Sequence, residues 1–345
     1  MKILYGVQAS GNGHVARARA MLPALQEHFQ VDLLVSGNLS EIKLPIEPKF
    51  KVKGLDLAFG KNGGIDYSET LGKLDFTSLL SEIKSLDISG YALIISDYEP
   101  ISAWAGKLRK VPVVHMSNQA SLIHSATPKP KKIDPVTQMV LKNMAPAKYL
   151  FPITYLPYSN QHFQPLIRQE IQNLEVSDQG YYLVYLPAYS DDKVYKVLKE
   201  IPSIKFKVFT KKSKIPFALK NCHFQPISEE PFLKALAGAT GVISAGGFAL
   251  SSEVLYMNKK LLMVPMKGQY EQKSNAHALA QIGVTNIPKL KKAYLPEVKN
   301  WIENGKAAVY SWRDPIPSMI EELIKIINAE SGYEALNANS PYSYA

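Results

Sequence analysis

The sequence is poor in cysteine: Cys222 is the only one among 345 residues. A single cysteine forms no internal disulfide and supplies no thiolate cluster for zinc. The sequence therefore excludes a disulfide-stabilised domain and a domain built on a structural zinc site. Long apolar runs are also missing, since no stretch reaches the roughly 18 residues that a membrane-spanning helix needs. Nothing near Met1 resembles a secretory signal, and we therefore expect a cytoplasmic protein.

Acidic residues are the scarcer charge, with 30 Asp and Glu against 40 Lys and Arg, a net charge of +10. Such an excess favours a polyanionic partner: nucleic acid, an anionic membrane or a phosphorylated small molecule. Short lysine runs lie at 129–132, 211–214 and 289–292, although a solvated loop is the simpler explanation of any single run. Without zinc-finger spacing or an aromatic RNA-binding motif, we expect no nucleic-acid partner.

Short apolar segments alternate with helical patterns along the whole chain. Strand-like runs such as KILYGVQA, YALIISD and GVISA are separated by helical patterns such as HVARARAMLPALQEHF. This alternation predicts an α/β protein whose strands form parallel sheets covered by helices. The length suits two domains of roughly 150 residues each.

A proline-rich seam, FPITYLPYSNQHFQP over 151–165, separates two such strand–helix series. We therefore predict two tandem Rossmann-like domains, an N-terminal one at 1–155 and a C-terminal one at 156–316. A further helix is predicted at 317–330. The polar residues 331–345 are predicted to form a flexible tail.

The first predicted strand ends in a turn containing Gly11, Asn12 and Gly13, and a helix pattern starts at His14. Free N–H groups at such a helix start attract an anion or a polar ligand. A dinucleotide fingerprint partly tolerates Ala16 in place of its third glycine, but it fits less well because the second strand does not end in an acidic residue. A plain turn, with His14 as a surface cap, is the alternative.

A second candidate, Asp97, directly follows the apolar strand in LIISDYEP. Because ligands of open parallel sheets bind at the carboxyl ends of the strands, His14 and Asp97 are predicted to meet in one cleft. A carboxylate fixes the tautomer of an imidazole and supports its charged form, which is what a general base needs. The alternatives are that Asp97 caps the next helix and that Glu99 is a solvent-facing turn residue.

The second half contains a glycine pair between a strand and a helix, in GVISAGGFALSSEVLYM. Gly246 and Gly247 would let the backbone approach a phosphate, and the helix that follows would attract a diphosphate through its N–H groups and its dipole. Glu253, about two turns further, is suited to accept hydrogen bonds from a vicinal diol such as a ribose.

Several segments together resemble nucleotide-sugar glycosyltransferases of the GT-B fold. They are GNGH, the segment SDYEPISAWAGKLRKVPVV, the pattern from Gly247 through Glu253 to Pro265, and EQKSNA at 271–276. The chain resembles family-1-like bacterial and archaeal enzymes, which are related to UDP-glycosyltransferases and to the lipid-linked N-acetylglucosaminyltransferase of wall synthesis. The resemblance implies that the C-terminal helix crosses back to the N-terminal domain.

The resemblance also implies residue roles in donor binding. Glu253 would hold the ribose hydroxyls, and Glu271 and Gln272 the hydroxyls of the sugar. Ile227 would hold a uracil through its main chain. The diphosphate would lie on the backbone of three residues: Gly246, Gly247 and Phe248.

The sequence departs from the family pattern just before the glycine pair. Many relatives have a histidine or arginine there to contact phosphate, whereas this chain has Ser244 and Ala245. Charge neutralisation would then come from N–H groups or from elsewhere, with the loop 188–190 and Lys211 as candidates.

By the same resemblance, the protein is expected to transfer a sugar from a nucleotide-diphosphate donor, UDP-linked, to an acceptor hydroxyl in the cleft between the domains. His14 would be the base of an inverting reaction and Asp97 its partner. No D-x-D motif is present, so we expect neither a metal nor a cofactor. The alternatives are a sugar-nucleotide 2-epimerase of the same fold and a non-catalytic sugar-nucleotide-binding protein.

The acceptor is not identified by the sequence. The basic surface and the lysine-flanked segment TPKPKKIDPVTQMVLKNMAP over 127–146 favour a lipid-linked or anionic acceptor and peripheral association with the inner membrane surface. An ordinary lid loop explains the same segment.

Overall fold

The computed structural model describes residues 1–9, 11–37, 44–55, 75–130, 133 and 135–332. Two compact units divide this chain. The first unit takes the described residues up to Arg168 together with those from Arg313 onward, and the second unit is Gln169–Trp312.

The first unit is built on a six-stranded, fully parallel sheet in the order β3-β2-β1-β4-β5-β6. Its central strands are apolar runs buried on both faces, as a helix-covered parallel sheet requires. The strand order reverses direction between β1 and β4, so this sheet has its topological switch point there. The strands are β1 Lys2–Gln8, β2 Gln30–Ser36, β3 Phe50–Val52, β4 Leu93–Asp97, β5 Val113–Ser117 and β6 Tyr149–Pro152.

The helices of this unit before the second unit begins are α1 Asn12–His28, α2 Phe76–Ser85, α3 Pro100–Arg109, α4 Asn118–Ile123 and α5 Pro135–Asn143. Helix α1 continues through Pro23, which lies on its exposed side. Helix α3 begins where the Glu99 carboxylate accepts hydrogen bonds from the N–H groups of Ile101 and Ser102, with a proline in its first turn.

The second unit carries a seven-stranded sheet in the order β13-β12-β11-β7-β8-β10-β9. All neighbours are parallel except the β9–β10 hairpin at one edge. The switch point of this sheet lies between β7 and β11. The strands are β7 Tyr181–Tyr185, β8 Lys205–Thr210, β9 Phe217–Leu219, β10 Cys222–Pro226, β11 Gly241–Ser244, β12 Lys260–Met263 and β13 Thr285–Asn286.

Helices of the second unit pack on a core that includes Trp301, whose ring meets that of Tyr182 with centroids 5.2 Å apart. The helices are α6 Gln169–Gln172, α7 Asp191–Leu198, α8 Glu229–Gly238, α9 Phe248–Tyr256, α10 Tyr270–Ala280 and α11 Leu295–Asn304, with a 3₁₀ turn at Lys292–Tyr294.

The last helix, α12 Ile316–Glu330, returns to the first unit, as predicted. It packs against α1 and buries apolar side chains that include Leu323 and Ile326. Its end is held by Glu330, whose carboxylate accepts hydrogen bonds from Lys148 and Tyr149.

The boundary between the units lies later than the predicted 155/156 division, because the proline-rich segment folds back on β6. The Phe163 N–H donates to the Pro152 carbonyl, and the Thr154 N–H donates to the Phe163 carbonyl, each at 2.9 Å. The Phe151 and Phe163 rings also pack together. Residues 156–168 therefore belong to the first unit. Of the predicted tail, residues 333–345 lie outside the described chain.

None of the helices in the described ranges is both long and apolar enough to cross a membrane. The expected α/β class with two parallel-sheet domains is confirmed.

Candidate functional site

The switch point of the first sheet brings His14 and Asp97 together. Strands β1 and β4 are neighbours with Val7 opposite Asp97, and His14 lies in the first turn of α1. Nδ1 of His14 is 2.7 Å from Oδ1 of Asp97. Asp97 is fully buried, while the His14 side chain keeps 14% of its exposure. A strand end and a helix start thus produce an imidazole–carboxylate pair with one accessible member.

Arg17 is the member of this cluster that the sequence did not reveal. Its Nε and Nη2 donate to the two carboxylate oxygens of Asp97 at 2.7 and 2.6 Å, and its Nη1 donates to Oδ1 of Asn118 at 3.3 Å. Arg17 is three residues after His14 on α1, hence on the same helix face. That spacing is the signal that could have found it. Three neighbouring strands therefore contribute to one hydrogen-bonded cluster.

Asp97 is held as a carboxylate. Burial opposes its charge, but Arg17 and then His14 more than compensate, so the pKa of Asp97 is lowered. Nδ1 of His14 lies 2.7 Å from Oδ1 of Asp97, which only accepts hydrogen bonds, and 3.0 Å from Nη2 of Arg17, which only donates. Because Nη2 of Arg17 already donates to Oδ1 of Asp97 at 2.6 Å, we assign the proton of a neutral imidazole to Nδ1 of His14. Nε2 then carries the lone pair, in the tautomer that a general base requires.

The His14 ring is the first of three stacked rings. The rings of His14 and Tyr98 are nearly parallel with centroids 6.3 Å apart, and Tyr98 stacks in turn on His115 at 5.8 Å. Tyr98 has a left-handed backbone, with φ of 56°, which is uncommon outside glycine. His115 is fully buried, and burial lowers its pKa to about 3, so this ring is neutral near pH 7.

The structure rules out the two simpler alternatives, that Asp97 caps the next helix and that Glu99 is a solvent-facing turn residue. Asp97 does not cap a helix but binds His14 and Arg17. Glu99 is the cap of α3 and is fully buried rather than solvent-facing.

The glycine turn forms the start of α1. Gly11 is the N-cap with an extended backbone, φ −161°, and no side chain caps the helix. Asn12 and Gly13 are the first two helical residues. Because any residue adopts such a backbone, conformation alone does not require glycine at Gly11. A methyl group there would meet no atom of the described chain within 4 Å.

The predicted phosphate loop lies at the switch point of the second sheet, directly after β11. Gly246 has φ of +83°, a conformation that favours glycine, and a methyl group there would lie 2.6 Å from Cε of Met263. Gly247 is the N-cap of α9, with no capping side chain and open space beside it, and Phe248 is the first helical residue. The Gly246 N–H donates to Oγ of Ser244 at 3.2 Å.

Two polar side chains of α10 bind neighbouring backbone, one in this loop and one in the segment between β12 and α10. Nδ2 of Asn275 donates to the Gly246 carbonyl at 3.0 Å, and Oε1 of Gln272 accepts from the Met266 N–H at 2.9 Å. Gln269, a residue that could have faced solvent, is buried. Part of the polar stretch 269–275 therefore holds the loop in place, a task that the sequence did not separate from sugar binding.

The other predicted donor residues surround the same edge of the second sheet. Glu253 is buried on α9, and Glu271 is half-buried in the first turn of α10. Ile227 follows β10, and its N–H donates to the Thr210 carbonyl at 3.1 Å. Its carbonyl is therefore the main-chain group that remains for a base. The loop 188–190 follows β7, beside the switch point, and Lys211 follows β8.

Within the residues that the structure describes, no three His, Cys, Asp or Glu side chains cluster in a way that could hold a metal ion.

The architecture defines a class: the fold is shared with solved nucleotide-sugar enzymes. UDP-GlcNAc 2-epimerase from Neisseria meningitidis, bound to UDP-GlcNAc, has a TM-score of 0.61 and 13% identity, over 94% of this chain and 100% of that one. MurG from Acinetobacter baumannii has a TM-score of 0.57 and 16% identity, over 94% and 100%. UGT2 of Phytolacca americana, complexed with UDP-2-fluoroglucose and pterostilbene, has a TM-score of 0.58 and 12% identity, over 98% and 96%.

A family model matches most of the chain. The model of glycosyl transferase family 1 matches residues 1–304, and the chain belongs to this family. No curated protein matches the sequence. The predicted glycosyltransferase activity, with a nucleotide sugar as donor, is confirmed at this level. The individual site residues stay predictions.

Proposed function

We propose that this glycosyltransferase moves a sugar from a UDP-linked donor to an acceptor hydroxyl by an inverting, metal-independent reaction with His14 as general base. The observation that carries the proposal is the 2.7 Å contact between Nδ1 of His14 and the buried carboxylate of Asp97. It leaves Nε2 of an accessible imidazole as the proton acceptor.

The chemical step follows from this arrangement. As the acceptor oxygen attacks the anomeric carbon, its proton passes to Nε2 of His14, and the bond from that carbon to the diphosphate oxygen breaks. The nucleoside diphosphate leaves with the bonding electrons. The imidazolium that forms is stabilised by Asp97, whose own charge Arg17 maintains.

The donor is assigned to the second unit. The uncapped N-terminus of α9 supplies N–H groups and a positive dipole end for the diphosphate, in place of the basic residue that is missing at Ala245. Glu253 is assigned to the ribose, Glu271 and Gln272 to the sugar, and the main chain of Ile227 to the base. UDP is favoured because solved structures of this fold contain UDP-GlcNAc and UDP-2-fluoroglucose.

Replacing His14 by alanine tests the base assignment. Turnover should fall by about 10² to 10⁴, the usual contribution of general base catalysis, while donor affinity stays within about twofold. The exposed His28 at the other end of α1 gives the matched control: His28→Ala should leave both unchanged. Equal loss of donor binding and turnover in His14→Ala would overturn the assignment. Unchanged turnover after dialysis against EDTA is the result expected of a metal-independent reaction.

An epimerase is the alternative that a specific observation favours, namely the fold shared with UDP-GlcNAc 2-epimerase. Incubation with UDP-GlcNAc alone, followed by NMR, separates the two activities. A glycosyltransferase leaves the sugar configuration at C2 unchanged, whereas an epimerase produces a second sugar nucleotide. A non-catalytic binding protein would bind the donor without releasing UDP to any acceptor.

For the acceptor, we propose a lipid-linked or anionic molecule and a cytoplasmic site of action at the membrane surface. The net charge of +10 supports this assignment. Transfer to a lipid-linked acceptor in vesicles, compared with its water-soluble analogue, tests it.

A further inference from the structure

A cavity lies in the first unit, away from His14 and Asp97. Its volume is about 730 Å³, and it is lined by the segments that lead into β5 and β6 and by the end of α12. His14 and Asp97 follow the carboxyl ends of their strands, whereas this cavity is at the amino ends of β5 and β6. The two sites therefore lie at opposite edges of the same parallel sheet.

The charged lining of this cavity is mostly positive. Four lysines line it, Lys107, Lys110, Lys142 and Lys148, against one carboxylate, Glu330. That carboxylate is already engaged by Lys148 and by the Tyr149 hydroxyl. Within the described chain, the ammonium groups of Lys107, Lys110 and Lys142 make no ion pair; Lys107 lies over the ring of Trp104 at 5.0 Å.

A fifth lysine, Lys129, lies close enough to one of these lysines to be affected by its charge. The pKa of Lys129 is lowered, first by its partial burial and then by the charge of Lys142. Like charges brought together without counterions repel one another, so a bound anion would relieve the repulsion.

The backbone at Lys110 adds a separate observation. Lys110 ends α3 with φ of 60°, in the left-handed region where glycine or asparagine is favoured. The helix end itself would be better served by glycine. Lys220 in the second unit has the same left-handed backbone, so this conformation alone assigns no task to the Lys110 side chain.

We propose that this cavity is a second ligand site, which binds a phosphate group through Lys107, Lys110 and Lys142. Its volume lies within the roughly 300–1,000 Å³ typical of small-molecule sites. Ammonium groups are point charges that suit a phosphate monoester or diester. The phosphate belongs either to a soluble metabolite or to a lipid headgroup. Leu108 and Met139, which are close in sequence to Lys107 and Lys142, are exposed apolar side chains, so a lipid is tested in a separate experiment.

A simpler explanation exists for two of these lysines. Lys107 and Lys142 lie in the last turns of α3 and α5, where cations stabilise the helix dipole. That explanation predicts a loss of stability and no effect on anion binding when the lysines are neutralised, so binding is the decisive readout.

The test compares three versions of the full chain by calorimetric titration with inorganic phosphate at low ionic strength. They are the unchanged protein, the cavity variant Lys110→Gln/Lys142→Gln, and the control variant Lys220→Gln/Lys289→Gln. The control removes the same charge from exposed lysines of the second unit, one of which, Lys220, also has a left-handed backbone. Phosphate bound at the donor loop contributes to all three titrations, so their difference isolates the cavity.

We expect the cavity variant to bind phosphate at least about tenfold more weakly, because each hydrogen bond to a charged group contributes that order of affinity, with the control within twofold of the unchanged protein. Phosphate should also protect Lys107, Lys110 and Lys142 from acetylation, read by mass spectrometry, while Lys220 and Lys289 stay reactive. Equal binding by all three proteins, or an equal loss in both variants, would overturn the proposal.

A vesicle arm identifies the source of the phosphate. Phosphatidylcholine vesicles with and without phosphatidylglycerol are sedimented with the same three proteins. Binding that requires phosphatidylglycerol and is lost only in the cavity variant assigns the site to a lipid headgroup. Phosphate binding without such vesicle binding assigns it to a soluble phosphorylated ligand. If both variants lose vesicle binding equally, the net charge of the protein accounts for that binding. This result would contradict a specific phosphate site in the cavity.

Discussion

At the scale of single residues, the first unit is centred on Asp97, a fully buried carboxylate between Arg17 and His14. Arg17 donates to both carboxylate oxygens of Asp97, and its charge is the largest influence that lowers the pKa of this carboxyl against the effect of burial, with His14 next. Arg17 thus maintains the charge of the carboxylate, and the carboxylate orients the imidazole that we propose as the general base.

Asp97→Asn should lower the free energy of unfolding by about 3–5 kcal/mol, because Arg17 would be left as a buried cation without its carboxylate. Asp192→Asn is the control: both Asp192 and its partner Lys196, four residues later on α7, are exposed, and we expect a loss of about 1 kcal/mol or less. Urea unfolding of both variants measures the difference. Equal losses would show that Arg17 does not need Asp97.

The sequence predicts which two residues meet where that follows from the positions at which strands end. His14 and Asp97 were placed together because parallel strands end at one edge. Arg17 and Tyr98 were missed, since a helical i, i+3 partner and a ring stack depend on which face of α1 turns inward, and the glycine turn does not determine that face. The sequence leaves the role of Glu99 open, because a helix cap and a solvent-facing turn residue have the same sequence pattern.

At the scale of elements, the loop between β11 and α9 contains two glycines with different constraints. Gly246 needs its left-handed backbone, whereas Gly247 has φ of −63° and open space beside it. Glycine at position 246 is therefore explained by the backbone conformation. At position 247 we expect glycine to leave room for a ligand to approach the backbone.

Gly246→Ala should destabilise the second unit by roughly 1–2 kcal/mol, the cost of a left-handed backbone for a residue with a side chain. Gly247→Ala should cost less than about 1 kcal/mol, since alanine adopts that backbone and is only the poorer cap. Donor binding should weaken in Gly247→Ala, because its methyl group occupies the space assigned to the diphosphate. Unfolding and donor titration of both variants separate the effects. Full donor affinity in Gly247→Ala would place the diphosphate elsewhere.

Long apolar strands and their helices were predicted from the sequence, and short edge elements were not. Strands β3, β9 and β13 have three residues or fewer, and their polar or exposed side chains give no periodicity to detect. The prolines at 151–165 predict a domain boundary, whereas the structure ties this segment to β6 by main-chain hydrogen bonds that have no sequence signature.

At the scale of the whole molecule, two neutral histidines make stability depend on pH. Burial lowers the pKa of His115 to about 3; for His162, burial and then His124 lower the pKa to about 4. In the unfolded chain both protonate near pH 6.5. Between about pH 6.5 and pH 4 the unfolded state binds more protons, so stability falls as pH falls.

The slope should approach about 1.4 kcal/mol per pH unit for each of the two histidines. Asp97, whose pKa is lowered, acts in the same direction below about pH 4. Urea midpoints between pH 7 and pH 4 measure this dependence. His162→Gln should reduce the slope, and His28→Ala should leave it unchanged. A flat profile in the unchanged protein would contradict neutral burial of these rings.

The central claim is that the second unit binds a nucleoside-diphosphate sugar. Thermal unfolding with UDP, GDP, dTDP and their sugar conjugates tests it most directly, since a ligand at 100 times its Kd stabilises the folded state by about 2.7 kcal/mol. We predict a rise in Tm with UDP and a larger rise with a UDP-sugar, with the difference lost in Glu271→Ala/Gln272→Ala. No rise in Tm with any of these nucleotides would contradict the claim.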